Sequence, residues 1–206
     1  MYSSRINKEP SEKELIRELS FQYKIDAWQF LDHAKVILSQ GEKLKHDINY
    51  HVGYLFKINV MLYMSIECSL KALICATCQN LSPYDIYWKR IRNNGHDLND
   101  KIKQIKKFSA IVGDSKLEAR IKDFSKKQVK DRYCVEVAAE SPLMDDLALD
   151  PKCFRKELVQ TKCLYRTAKK LLSKTDKFAL ASFKDVDVLH PKVVRAALNE
   201  LMKQHN

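Results

Sequence analysis

Three groups of residues have the types and spacing to do chemistry. Glu67 and Lys71 stand one helical turn apart inside the apolar run YLFKINVMLYMSIECSLKALICATCQNL, residues 54–81. With glutamate first, this is the favourable order for an i, i+4 ion pair. The common fate of such charges is a solvated stripe on an otherwise packed helix. The alternative is a pair facing a groove between helices or a dimer interface, where the desolvation cost demands a functional reason. Downstream, SPYDIYWKRIRNNGHD (residues 82–97) interleaves Tyr84, Tyr87 and Trp88 with Lys89, Arg90 and Arg92, and carries His96 near its end. Aromatics among cations can stack on bases and hold phosphates; the same aromatics can instead plug the end of a helical bundle. Cys75 and Cys78 form a CxxC, but no second cysteine or histidine pair stands at zinc-like spacing. On a helix they act as small apolar residues, so no metal and no cofactor is expected.

These residues must be positioned by helices. Leu55, Leu62, Ile66, Leu70 and Leu73 recur at the helical period, and no Pro or Gly interrupts the run from Tyr54 to Leu81. The run is long enough for a bilayer, which needs about 20 apolar residues. Lys57, Asn59, Glu67 and Lys71 oppose that reading, at about 2.5–3.5 kcal/mol for each central charge. A buried central helix with no membrane contact is therefore expected, with Pro83 marking its end. Before it, Ser11 and Glu14 form a capping box for a helix with Leu15, Leu19, Tyr23, Ala27, Phe30, Ala34, Ile37 and Leu38 on one face, stopped by Gly41. In that helix Tyr23 and Trp28 are expected to be buried, the commoner outcome for aromatics, although either can anchor a partner.

After the turn-rich segment, Leu98, Ile102, Ile105 and Val112 form a stripe ended by Gly113, with Lys101, Lys103, Lys106 and Lys107 elsewhere around it. A helix opened by Ser115 and Glu118 carries Leu117, Ile121, Phe124 and Val135. The acidic stretch ESPLMDDLALD (140–150) leads to Asp150 and Pro151, which open a helix with Phe154, Leu158, Tyr165, Ala168 and Leu172 on its face. The segment Asp176 to Pro191 reads as extended or loop, and His190-Pro191 opens a short final helix through Leu201. The expected fold is all-α: an antiparallel, up-and-down bundle of about five long helices over residues 1–175, with a C-terminal extension at 176–206.

Composition narrows the function classes. Hydrophobic residues make up 45% of the 206, which excludes wholesale disorder, and the net charge of +11 favours an anionic partner such as nucleic acid. Six cysteines in no disulfide framework, and an N-terminal stretch without a signal-peptide apolar core, make the reducing cytoplasm the expected compartment.

Two motifs resemble the HEPN family (higher eukaryotes and prokaryotes nucleotide-binding domain). One is the apolar helix with Glu67-Cys68-Ser69-Leu70-Lys71-Ala72-Leu73-Ile74, followed by a turn and Gly95-His96-Asp97-Leu98. The other is Arg132-Tyr133 on a later helix. The resemblance covers about residues 54–172. It implies a helical bundle, a homodimer, and a role around RNA or nucleotides in toxin–antitoxin, defence or RNA-processing systems. Ribonucleases of the family use an Arg followed a short way on by a His, without metal, and Arg90 and His96 stand with five residues between them. In such an enzyme Arg steadies phosphoryl charge while His moves a proton. His96 lies in the turn after the central helix, however, whereas catalytic members carry the motif near a later helix, and no His follows Arg132 at the required distance.

The leading expectation is therefore a binding module for RNA, a nucleotide or a nucleotide-handling partner. Lys89, Arg90, Arg92, Arg132 and Tyr133 are its candidate anion contacts, with Glu67 and Lys71 beside them. The alternatives are a metal-independent endoribonuclease using Arg90 or Arg92 with His96, and a protein-interaction module without nucleic-acid contact. At a helix start, His96 is expected mainly to satisfy local backbone groups.

Overall fold

A computed structural model describes residues 9–43, 48–93, 95–138 and 151–203. Its elements are all helical: α1 (Glu12–Lys43), α2 (Ile48–Thr77), a π-helical segment (Asp85–Arg92), α3 (Leu98–Gln104), α4 (Phe108–Val112), α5 (Ser115–Ala138), α6 (Pro151–Ser182) and α7 (Pro191–Lys203). Among the described residues, four helices are long rather than five, and they form the all-α bundle that the periodicity predicts.

The capping box of α1 is formed: the Ser11 N–H donates to Glu14 Oε2 at 2.7 Å, and the Glu14 N–H to Ser11 Oγ at 3.3 Å. The buried face of α1 is centred on Ile16, Leu19, Ala27, Leu31 and Ala34, one position round from the expected Leu15 and Phe30. Small residues at the crossing let α1 and α2 approach closely. Ser20 Oγ donates to the Ala72 carbonyl at 2.9 Å, and Ser65 Oγ to the Ala27 carbonyl at 2.7 Å. These pairings run in opposite directions along the chain, so α1 and α2 are antiparallel.

Gln79 Nε2 reaches the Ser182 carbonyl at 3.2 Å and Thr161 Oγ1 donates to Asn59 Oδ1 at 2.9 Å, so α6 lies parallel to α2. It is antiparallel to α1, as expected of the first and fourth helices of an up-and-down bundle.

The centre of α2 is sealed. Leu62, Ile66, Leu70, Leu73 and Ile74 have no exposed surface, and each such side chain contributes about 1.5–3 kcal/mol by leaving water. Lys57–Thr77 is long and apolar enough to cross a membrane, yet most of it is packed inside the bundle.

Three local expectations differ in the structure. The stripe 98–112 is two short helices, because the chain turns at Ile105 and Lys107, and Lys107 takes the left-handed conformation with φ 59°. Gly113, at φ 62°, ends the second of them, as a residue without Cβ can. Residues 176–182 are neither extended nor loop: α6 runs on to Ser182, and Ala179 and Phe183 belong to the core. The expected boundary at 175/176 thus falls inside a helix. Trp28, expected to be buried, is 58% exposed. The acidic stretch 140–150 with Asp150, and the side chains of Val135 and Phe154, lie outside the described residues.

Candidate functional site

The turn Gly95–Asp97 is where the chemistry-bearing residues gather, and three helices hold it. From α2, Glu67 reaches it: His96 Nδ1 lies 3.0 Å from Glu67 Oε1 and 3.0 Å from Oε2. From α3, Lys101 Nζ donates to the Gly95 carbonyl at 2.5 Å. From α5, Ser125 Oγ donates to Asp97 Oδ1 at 2.9 Å. The same Asp97 oxygen accepts the Asn99 N–H at 2.7 Å and so caps α3. His96, expected to satisfy backbone groups at this helix start, instead faces the central helix; its neighbour does the capping.

Glu67 is wholly buried and forms its i, i+4 pair with Lys71 Nζ at 2.8 Å. The solvated-stripe reading of this pair is therefore overturned. The Lys71 ammonium also sits 5.4 Å from the Tyr23 ring centroid, which brings α1 to the cluster. A buried carboxylate must be compensated, and here two hydrogen-bonding cationic or ring nitrogens do so.

Lys101, by sequence one of four lysines placed around its stripe, belongs to the buried cluster. Its side chain has no exposed surface, and burial pushes its ammonium below the usual lysine range, with the Glu67 charge opposing that shift. The signal was present: Leu98, Lys101, Ile102 and Ile105 occupy i, i+3, i+4 and i+7, so Lys101 fills a core position of its own stripe.

The basic–aromatic segment lies next to this turn. Ser82 opens it by accepting the Asp85 N–H at 3.1 Å, and the Asn93 N–H donates to the Trp88 carbonyl at 3.1 Å, five residues back. Ile86 and Ile91 are buried, and Tyr84, Tyr87 and Trp88 are half-buried, with Tyr87 edge-on to Trp88 at 5.2 Å between centroids. The aromatics thus do both things the sequence allows: they pack the bundle end and keep part of their surface outside. Arg92 lays its guanidinium over the Trp88 ring at 4.1 Å, and Lys89 pairs with Asp85 at 2.6 Å. Arg90 is exposed on the same segment.

The structure thus brings Glu67, Lys71 and His96 together, whereas Lys89, Arg90 and Arg92 project from the neighbouring segment. Arg132 and Tyr133 belong to α5, and their side chains lie outside the described residues. Cys75 and Cys78 are free and buried, and among the described residues no three metal-ligating side chains come together.

Fold and site define an all-α helical bundle with a buried carboxylate–histidine contact beside a basic–aromatic π-helical segment. Comparison with family models, with curated proteins and with solved structures finds no match to this chain.

Proposed function

We propose that this chain is a HEPN-like helical module that binds RNA through the segment Asp85–Arg92 and the adjoining His96 turn. One observation carries the reading: the Arg92 guanidinium stacked on the half-exposed Trp88 places a cation and a π-face side by side, with Arg90 exposed beside them. Bases stack on such faces, and guanidinium groups hold phosphates. Pinning the turn to α2, α3 and α5 keeps this surface in place without help from ligand. The net charge of +11 adds a long-range attraction for polyanions. In this reading the protein works in the cytoplasm as a homodimer, within a toxin–antitoxin, defence or RNA-processing system.

Fluorescence anisotropy with a single-stranded RNA tests the reading. Affinity should fall steeply with salt, each lost phosphate contact lowering the log–log slope by about 0.7. Arg90→Ala and Arg92→Ala should each flatten that slope. Binding that does not change between low and moderate salt removes the proposal.

The Glu67–His96 contact favours a second reading, a metal-independent endoribonuclease. A carboxylate on Nδ1 orients an imidazole and leaves Nε2 to exchange protons with substrate. The His96 side chain is 57% exposed, so substrate can reach it. Nε2 would take the proton of an RNA 2′-hydroxyl as that oxygen attacks phosphorus and the 5′-oxygen leaves, with Arg90 or Arg92 steadying the phosphoryl charge. RNA cleavage in EDTA that disappears in His96→Ala supports this reading, and intact RNA at every protein concentration excludes it.

A further inference from the structure

A second candidate surface lies away from the His96 turn. Helices α1 and α6 run antiparallel with a groove of about 540 Å³ between them. The Lys24–Asp176 ion pair, at 2.8 Å, closes one end. Leu31 and Leu172 are buried along the middle, where Ile25 and Trp28 stand 45% and 58% exposed. The far end carries Lys35 and Lys169, both exposed, with Asp32 between them. Charge is therefore segregated along the groove: balanced at one end, apolar in the middle, and two lysines to one aspartate at the other.

We propose that this groove receives an acidic amphipathic helix of a partner protein. From Lys24 to Lys35 the α1 wall is about 16 Å long at 1.5 Å per residue, the length of about three helical turns. A channel between two antiparallel helices offers the ridge spacing that a third helix fills, with anchors at i, i+3, i+4 and i+7. Aliphatic walls at Ile25, Leu31 and Leu172 suit aliphatic side chains. A large exposed indole at the centre has the character of a binding hot spot. Glutamates or aspartates at one end of the incoming helix meet Lys35 and Lys169, which sets the polarity of docking. This surface is independent of the RNA-binding segment.

The test uses the full chain carrying Trp88→Phe, so that Trp28 is the one remaining indole of the two. The probe is a synthetic three-turn helical peptide with leucines at i, i+4 and i+7 and glutamates at one end. It is compared with an isomer bearing lysines in their place, and calorimetry on the unsubstituted chain runs in parallel. The expected result is binding of the acidic peptide with a blue shift of Trp28 emission, at least tenfold tighter than the basic isomer. Trp28→Ala should abolish binding, and joint Lys35→Glu and Lys169→Glu substitution should reverse the charge preference. Circular dichroism confirms that these surface variants fold. Equal affinity for both peptides, or binding of neither, overturns the proposal. So does a Trp28 blue shift on raising protein concentration alone, which assigns the groove to a second copy. Displacement of the peptide by RNA overturns it as well, assigning the groove to nucleic acid.

Discussion

His96 Nδ1 stands 3.0 Å from both carboxylate oxygens of Glu67, although 29 residues separate the two in the chain. The contact joins an exposed ring to a fully buried charge. It couples the stability of the bundle to the position of the turn, because the carboxylate has no water to fall back on.

Removing that carboxylate should be more damaging than removing the buried cation nearby. Glu67→Ala leaves Lys101 inside the protein without its neighbouring negative charge and frees His96 and Lys71; a loss of about 3–5 kcal/mol is expected. Lys101→Met keeps the volume, and Glu67 retains both of its hydrogen-bonding partners, so its cost should stay below about 1.5 kcal/mol. Urea denaturation of the two variants and of the double variant measures the difference. A Lys101→Met variant as unstable as Glu67→Ala would refute the ordering.

Acid should weaken the junction between α4, α5 and α6. Asp114 Oδ2 meets Lys170 Nζ at 2.5 Å, and Asp114 Oδ1 accepts the Leu117 N–H at 3.1 Å; the Lys170 bond and that backbone bond hold the carboxyl below its usual range. The unfolded carboxyl titrates near about 3.9. The stabilising term is therefore fully present above that value and fades as pH falls through the lower folded value. Glu118, held down by Lys122 and Ser109, acts in the same direction. The stability gap between the parent chain and Asp114→Asn should thus be constant near neutrality and close in acid. A gap that stays constant into strong acid would contradict the assignment.

Lys107 occupies the left-handed region at φ 59°, where a side chain costs about 1–2 kcal/mol. Lys107→Gly should raise stability by about 0.5–1 kcal/mol, once the greater freedom of glycine in the unfolded chain is counted. Gly113→Ala, at φ 62°, should lower stability for the converse reason. Thermal melts of both variants check the pair, and a destabilised Lys107→Gly would show that the loop is not strained.

The buried thiols on and directly after α2 should be inert in the folded protein. Burial pushes the Cys68 thiol up to about 12 and raises Cys75 as well, so neither forms the reactive thiolate at neutral pH. Mass spectrometry after brief alkylation should find Cys68, Cys75 and Cys78 unmodified until denaturant is added. Labelling of Cys75 in native buffer at a rate near that of a free thiol would refute this.

The helices and their inward faces are encoded locally in the chain. The recurrence of Leu62, Ile66, Leu70 and Leu73 encodes a buried α2, and Ser11 with Glu14 encodes the start of α1, because both depend on neighbours within a few residues. The α3–α4 break and the reach of α6 past residue 176 escaped, since apolar spacing alone does not mark a single left-handed residue or separate a helix from a loop. Where the charges go is set by the packing of helices distant in the chain. Glu67 reads first as a solvated residue until the packed bundle buries it against Lys71 and His96. Lys101 looks like one surface lysine among several until its stripe is docked, and Trp28 passes for a core aromatic until α6 takes its place beside it. Those outcomes depend on which helix lies opposite. That information resides in pairings such as Ser65 with Ala27 and Thr161 with Asn59, contacts between residues far apart in the chain.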